Sequence, residues 1–255
     1  MSIEIVTGAA AQANVVALPA NVLLYGPPGT EKTTDAVRAF TSNNRCNAFV
    51  IPFEDGALKA IAARGLPVPD HPRNTVKSWA DLYQSLEWLI QHRTNYTAVI
   101  LDGLTPLSTY LYNEATAKGG KSKWDIPVMV RKQLIDLRDW IRMIGLHSVF
   151  IAHPLAPAVV EGVFHLGAPL LTPKTMMPEF FGQVDTVLRV DSVQVLGQMQ
   201  RVYFTGGTDW PQQIPQSPDW RFWRTKNREG INSAILPADL GAILRARQPP
   251  YAGLG

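Results

Sequence analysis

Short apolar runs alternate along this chain with stretches whose apolar residues recur every three or four positions. Asn21–Tyr25 (NVLLY), residues 48–53 (AFVIPF), 98–101 (AVIL) and 148–152 (SVFIA) are compact runs of the kind that fill a sheet covered on both faces. Residues 33–40, 55–64, 78–91, 106–117 and 128–144 read as helices between and after them. In the segment 78–91, Leu82, Leu86, Leu89 and Ile90 fall at helical spacing, and Ser78 stands as an N-cap before Asp81. Gly65 and Gly145 close the helices they follow. Residues 184–190, 200–204 and 220–225 are further strand candidates. The last two are expected to pair antiparallel across a Gly-, Pro- and Gln-rich connection. Residues 237–247 read as a short helix and 249–255 as a tail. Strands separated by helices predict an α/β fold, with a mainly parallel central sheet flanked by helices and an antiparallel C-terminal extension. Ligands of such sheets bind at the carboxyl ends of the strands.

Composition narrows this only slightly. The chain has 255 residues, enough for one large core, so the pattern divides into an N-terminal segment 1–19, a main domain 20–236 and a short helix and tail 237–255. Cys46 is the single cysteine, which excludes an internal disulfide framework and a cysteine-rich zinc site. The expectation is a reduced, cytoplasmic protein. Residues 1–20 carry no basic cluster ahead of an apolar run, and no stretch is apolar over the length a membrane span needs, so no membrane partner is expected. A net charge of +3 allows a nucleic-acid partner without announcing one.

The first strand runs into Gly26-Pro27-Pro28-Gly29-Thr30-Glu31-Lys32-Thr33-Thr34, and a helix follows. This string resembles the Walker A loop of P-loop ATPases, GxxxxGK[ST]. A glycine-rich turn lets successive backbone N–H groups converge on phosphate oxygens. Lys32 is then expected to reach the β/γ-phosphates of ATP, and Thr33 to bind Mg²⁺. Glu31 stands where the pattern wants glycine, bringing a Cβ into a tight turn and a carboxylate near the phosphates. Two like charges about 4 Å apart repel by roughly 4 kcal/mol at an effective dielectric near 20. Turning to solvent or pairing with a cation shrinks that cost.

Ala98-Val99-Ile100-Leu101-Asp102 reads as a Walker B strand, with Asp102 beside the loop to hold Mg²⁺ together with Thr33. Glu54 and Asp55 close the second strand. Glu54 is the candidate for polarising an attacking water, and Asp55 the candidate N-cap of the following helix. His153, after the fourth strand, is a candidate γ-phosphate sensor.

Taken together, residues 47–58, 78–91, 98–107 and 149–153 follow one another as in the RecA-like ATPase core. There the catalytic glutamate ends the second strand, whereas in AAA+ proteins it follows the Walker B aspartate. Gly103 occupies that AAA+ position here. The chain looks most like the RecA-like recombination and annealing ATPases encoded by bacteriophages, a resemblance covering about residues 20–230. It implies ATP and Mg²⁺ as ligands, work on single-stranded DNA, and the host cell cytoplasm as location.

The string Lys226-Asn227-Arg228-Glu229-Gly230 resembles the strand end that RecA-like hexameric helicases and clock ATPases project into a neighbour's nucleotide. Lys226 and Arg228 then act in trans, which implies a homo-oligomer, ring or filament. Two connections lie where RecA-like proteins carry DNA-binding loops. Lys118, Lys121 and Lys123 surround two glycines before Trp124, giving cations for phosphates and an indole for stacking. The stretch 154–180 is long, Pro-rich and carries His165 and Lys174. The alternatives are a nucleotide-binding scaffold made degenerate by Glu31, an AAA+-type loader or motor, and, more distantly, a small-molecule kinase.

Overall fold

The computed structural model describes residues 19–118, 125–160, 163–165, 167–173, 180, 184–204, 226–227 and 238–246. Its centre is a seven-stranded sheet. Five strands run parallel: β1 (Asn21–Tyr25), β4 (Ala48–Pro52), β5 (Ala98–Asp102), β6 (His147–Ala152) and the first half of β9 (Thr186–Val195). Two short hairpins lie outside it, β2 (Thr41–Ser42) with β3 (Arg45–Cys46), and β7 (Ala158–Val160) with β8 (Val163–His165). β10 (Gln198–Phe204) and β11 (Lys226–Asn227) both pair antiparallel with β9. The spatial order is β10-β9-β1-β6-β5-β4, with β11 off that path on β9.

The central strands are buried along their whole length because both faces are covered. Side chains alternate between two cores with the period of the pleat. Leu23, Tyr25, Ile51, Leu101 and Phe150 join one core with α3 (Trp79–Gln91), α4 (Leu104–Ala117) and α5 (Asp125–Ile144). Leu24, Val50, Ile100 and Val149 join the other with α1 (Lys32–Ala39), α2 (Ala57–Ala63) and α6 (Leu240–Ala246). The C-terminal helix is thus part of the main core: Leu240 and Ile243 are buried in it, and Leu240 N–H donates to Asp35 of α1 at 3.0 Å.

Several local expectations shift. α4 and α5 begin before residues 106 and 128, because Pro106 and Pro127 fall in the first turn, where a missing N–H costs nothing. Ser78 does cap α3, accepting from Asp81 N–H at 3.1 Å. Asp55 does not cap α2. That helix starts at Ala57 with Gly56 as N-cap (φ 106°), and the Asp55 carboxylate instead accepts from the Thr75 hydroxyl. The strand expected over 184–190 runs from Thr186 to Val195, and β10 pairs antiparallel with it; residues 220–225, the partner expected for β10, lie outside the described residues. Its second half leaves the core and alternates in burial, and Leu196-Gly197, both at positive φ, turn the chain into β10. Asn43-Asn44, at φ 50° and 59°, turn the β2–β3 hairpin in the same way.

Connectivity positions the site. From β1 the chain crosses to the far edge at β4, returns through β5 to β6 beside β1, then continues to β9 on the other side of β1. Strand order reverses at β1, so a crevice opens at the carboxyl ends of β1, β6 and β5. Among the described residues, no helix is long and apolar enough to cross a membrane.

Candidate active site

The loop between β1 and α1 begins under a steric constraint. A Cβ at Gly26 would lie 2.1 Å from the Val190 carbonyl oxygen, so the backbone of β9 admits only glycine there. The Thr30 hydroxyl donates to Pro27 O at 2.8 Å and closes the turn. Lys32, almost fully buried, donates from Nζ to Gly26 O at 2.8 Å and Pro27 O at 2.9 Å. Its ammonium therefore sits in the throat of the loop. Burial lowers the Lys32 pKa to about 8, against the pull of Asp102 and Glu54.

Glu31 adopts the left-handed conformation, φ 58° and ψ 30°, which is the backbone state that makes the motif prefer glycine. It is the N-cap residue of α1, yet its carboxylate makes no bond to the helix amides. Instead it forms ion pairs with Arg64, just after α2, and with Arg201 of β10. Arg201 Nη1 lies 3.1 Å from Glu31 Oε2 without hydrogen-bond alignment, so that contact is electrostatic. The repulsion expected of a carboxylate in a phosphate loop is offset by the two guanidinium groups. The amides at the start of α1 receive no side-chain cap from it.

Thr33 and Asp102 meet as the two motifs require. Thr33 Oγ1 donates to Asp102 Oδ1 at 2.8 Å, joining the start of α1 to the end of β5. Burial raises the Asp102 pKa to about 6, with the Thr33 hydrogen bond opposing. A hydroxyl and a carboxylate converging this closely are hard oxygen donors that suit Mg²⁺, which takes one or two protein ligands with phosphates and water. The buried carboxylate would gain a counter-charge in addition to that of Lys32. Among the described residues, no group of three or more His, Cys, Asp or Glu side chains forms an all-protein metal cage.

Glu54 and His153 form the opposite wall. Glu54 follows β4, held beside β5 by Phe53 N–H donating to Asp102 O at 2.8 Å. His153 follows β6, and its backbone N–H donates to Thr105 Oγ1 at 3.0 Å. The side chains join at 2.6 Å between His153 Nε2 and Glu54 Oε1. That bond holds the Glu54 carboxyl below its ordinary pKa, with partial burial opposing. Lys32, Thr33, Glu54, Asp102 and His153 line one cleft of about 350 Å³, with Glu31 and Arg64 on its rim.

The sequence-derived site residues divide three ways. Pro28, Gly29, Glu31, Lys32, Thr33 and Thr34 line the cleft, and Gly26, Pro27 and Thr30 shape the loop behind it. Lys118 ends α4 with its ammonium 2.6 Å from Glu114 Oε1. Lys121, Lys123, Trp124 and Arg228 lie outside the described residues, and Lys226 is described only as backbone of β11. Sequence reasoning missed Arg64, Arg201 and Thr105. No local pattern marks the two arginines, which reach Glu31 from remote parts of the chain. Thr105 had a signal in retrospect: it lies in the first turn after β5 and faces the β6 end, donating to Leu170 O at 2.7 Å.

The sequence profile of the AAA domain family AAA_24 matches residues 18–211, most of the chain and all of the cleft described above. The chain belongs to the AAA_24 family. This AAA_24 domain is a nucleotide-binding P-loop domain, of the class of ATPases that use nucleotide with Mg²⁺. Among solved structures, it is similar to the crystal structure of a KaiC-like protein from the hyperthermophilic archaeon Pyrococcus horikoshii OT3. The identity is 12% over 86% of this chain and 90% of that one, with a TM-score of 0.45. No curated protein matches the AAA_24 chain in sequence.

Proposed function

We propose that the protein is a RecA-like ATPase that binds ATP and Mg²⁺ at residues 26–34 with Asp102 and hydrolyses ATP with Glu54. The observation that carries this reading is the convergence of the Thr33–Asp102 pair, at 2.8 Å, and the Glu54–His153 pair, at 2.6 Å, on one cleft. The loop amides and Lys32 hold the phosphates and stabilise charge as the transition state forms. When bound, Mg²⁺ supplies charge neutralisation at the β- and γ-phosphate oxygens. Glu54 orients a water and takes its proton as the water oxygen bonds to the γ-phosphorus and the bond to the ADP oxygen breaks. His153 positions the Glu54 carboxylate and senses the γ-phosphate. Lys226 and Arg228 reach the γ-phosphate of a neighbouring copy, which makes turnover depend on a homo-oligomer, ring or filament.

The polymer on which this work is done is single-stranded DNA, in phage recombination or replication, with Lys118, Lys121, Lys123 and Trp124 as one contact. An ATP turnover assay with and without single-stranded DNA, with the mass of the assembled species, tests the whole reading. Stimulation by DNA together with an oligomer supports it, and a monomer with DNA-independent turnover removes the polymer and the trans residues. Changing Lys118, Lys121 and Lys123 together to alanine is expected to weaken DNA binding and flatten its salt dependence.

Glu31 at the glycine position favours a second reading, a nucleotide-binding scaffold with little turnover. Turnover that appears only in Glu31→Gly would carry that reading; comparable rates in both proteins would remove it. An AAA+-type loader or motor needs its carboxylate after Asp102, and Gly103 stands there.

A further inference from the structure

Arg64 has no part in the phosphate-loop motif, yet it stands on the rim of the same cleft as Lys32, Thr33 and Thr34. Its side chain is 58% exposed, and among the described residues its one ion-pair partner is the Glu31 carboxylate. That carboxylate is 20% exposed and is pinned from behind by Arg201, itself 24% exposed and not part of the cleft lining. The result is an arginine at the mouth of a phosphate-binding loop whose charge is neutralised by a residue of the loop itself. A carboxylate and a phosphate present the same oxygen acceptors to a guanidinium group. The Glu31 carboxylate thus bonds to Arg64 as a phosphate oxygen would, while making no bond to the amides of α1.

We propose that Arg64 is a phosphate-binding residue of this cleft and that Glu31 occludes it, so that a nucleotide phosphate must displace the Glu31 carboxylate from Arg64. Arg201 stays with Glu31 and gives the displaced carboxylate a resting place, which lets the exchange proceed without leaving a charge unpaired. The inference rests on the nucleotide reading of the site. It assigns Glu31 an inhibitory role distinct from simple repulsion, because its effect on affinity passes through Arg64.

The test is a double-mutant cycle on the full chain: wild type, Glu31→Gln, Arg64→Ala and the double variant, each checked for folding by circular dichroism. Affinities for ATP, ADP and adenosine are measured by calorimetry in Mg²⁺ buffer at low salt. Glu31→Gln is expected to tighten ATP and ADP by at least about fivefold, the order of one half-exposed charge pair, and to leave adenosine unchanged. In the Arg64→Ala background the same substitution is expected to have no effect. Equal tightening in both backgrounds, or none in either, overturns the occlusion of Arg64 while the nucleotide site stands. Absence of ATP binding in all four folded proteins overturns the nucleotide reading and this inference with it.

Discussion

The turns that follow β1 and β5 end on the same kind of backbone and surround it differently. Both helices they lead into, α1 and α4, start from an N-cap at positive φ with no side-chain cap: Glu31 at φ 58° and Gly103 at φ 107°. At Gly103 an added Cβ would lie 3.0 Å from Pro106 Cγ, 3.1 Å from Phe53 Cβ and 3.2 Å from Glu54 Cγ. At Glu31 the side chain leaves the turn toward Arg64 and Arg201. Glu31 lies in the small left-handed region open to ordinary residues at a cost of about 1–2 kcal/mol; Gly103 lies in territory suited to glycine. Glycine at such a turn therefore answers two separate demands, one of torsion and one of space. Only the torsional demand is violated at Glu31. At Gly103 the space is taken by Pro106, Phe53 and Glu54, so the end of β5 shares its room with the Glu54 side chain.

The largest expected effect tests that sharing. Glu54→Gln keeps the shape beside Gly103 and removes the base, so ATP turnover should fall by about 10²–10⁴-fold with ATP binding retained. Undiminished turnover would show that the carboxylate admitted by Gly103 is not the one that works. Gly103→Ala should destabilise the fold by roughly 3 kcal/mol, from torsional strain added to overpacking, read as a lower urea midpoint. A cost under about 0.5 kcal/mol, the usual range for harmless surface changes, would break the contrast between the two turns.

A smaller effect concerns the bond that keeps Glu54 in place. His153→Ala should raise the Glu54 pKa from its depressed value toward that of an ordinary glutamate, followed by carbon NMR of the carboxyl. Because the folded-state pKa lies below the unfolded one, the bond's contribution to stability is present above the ordinary glutamate pKa. It is lost as pH falls through the depressed value, and the variant should lack that acid-side loss. The smallest effect is expected at the other turn. Glu31→Gly relieves the left-handed strain and loses two partly exposed ion pairs, so stability should change by less than about 1 kcal/mol. A larger loss would mean that the carboxylate staples the loop to α2 and β10.

Much of the core and most of the cleft were legible in the chain, for an identifiable reason. Strands buried on both faces are mostly apolar, so Ala48–Pro52, Ala98–Asp102 and His147–Ala152 stand out, and the polar residue at or just past the end of each marks the crevice. Asp102, Glu54 and His153 were found that way. The second half of β9 was hidden because it leaves the core, trading a continuous apolar run for alternation. Asp55 was misread as a cap because its carboxylate is taken by Thr75, a partner no local pattern reveals.

By itself the sequence determined the parallel sheet, the phosphate loop and the residues at the strand ends, since these follow from burial periodicity and from the torsions and donors a phosphate turn needs. Only the tertiary structure decided what the aberrant Glu31 does. Its charge is paired rather than aimed at the loop amides, because two arginines distant in the chain arrive beside it when β10 and α2 fold against α1. An ion pair between such remote residues leaves no periodic trace, and electrostatic partners are chosen by where the folded chain brings them.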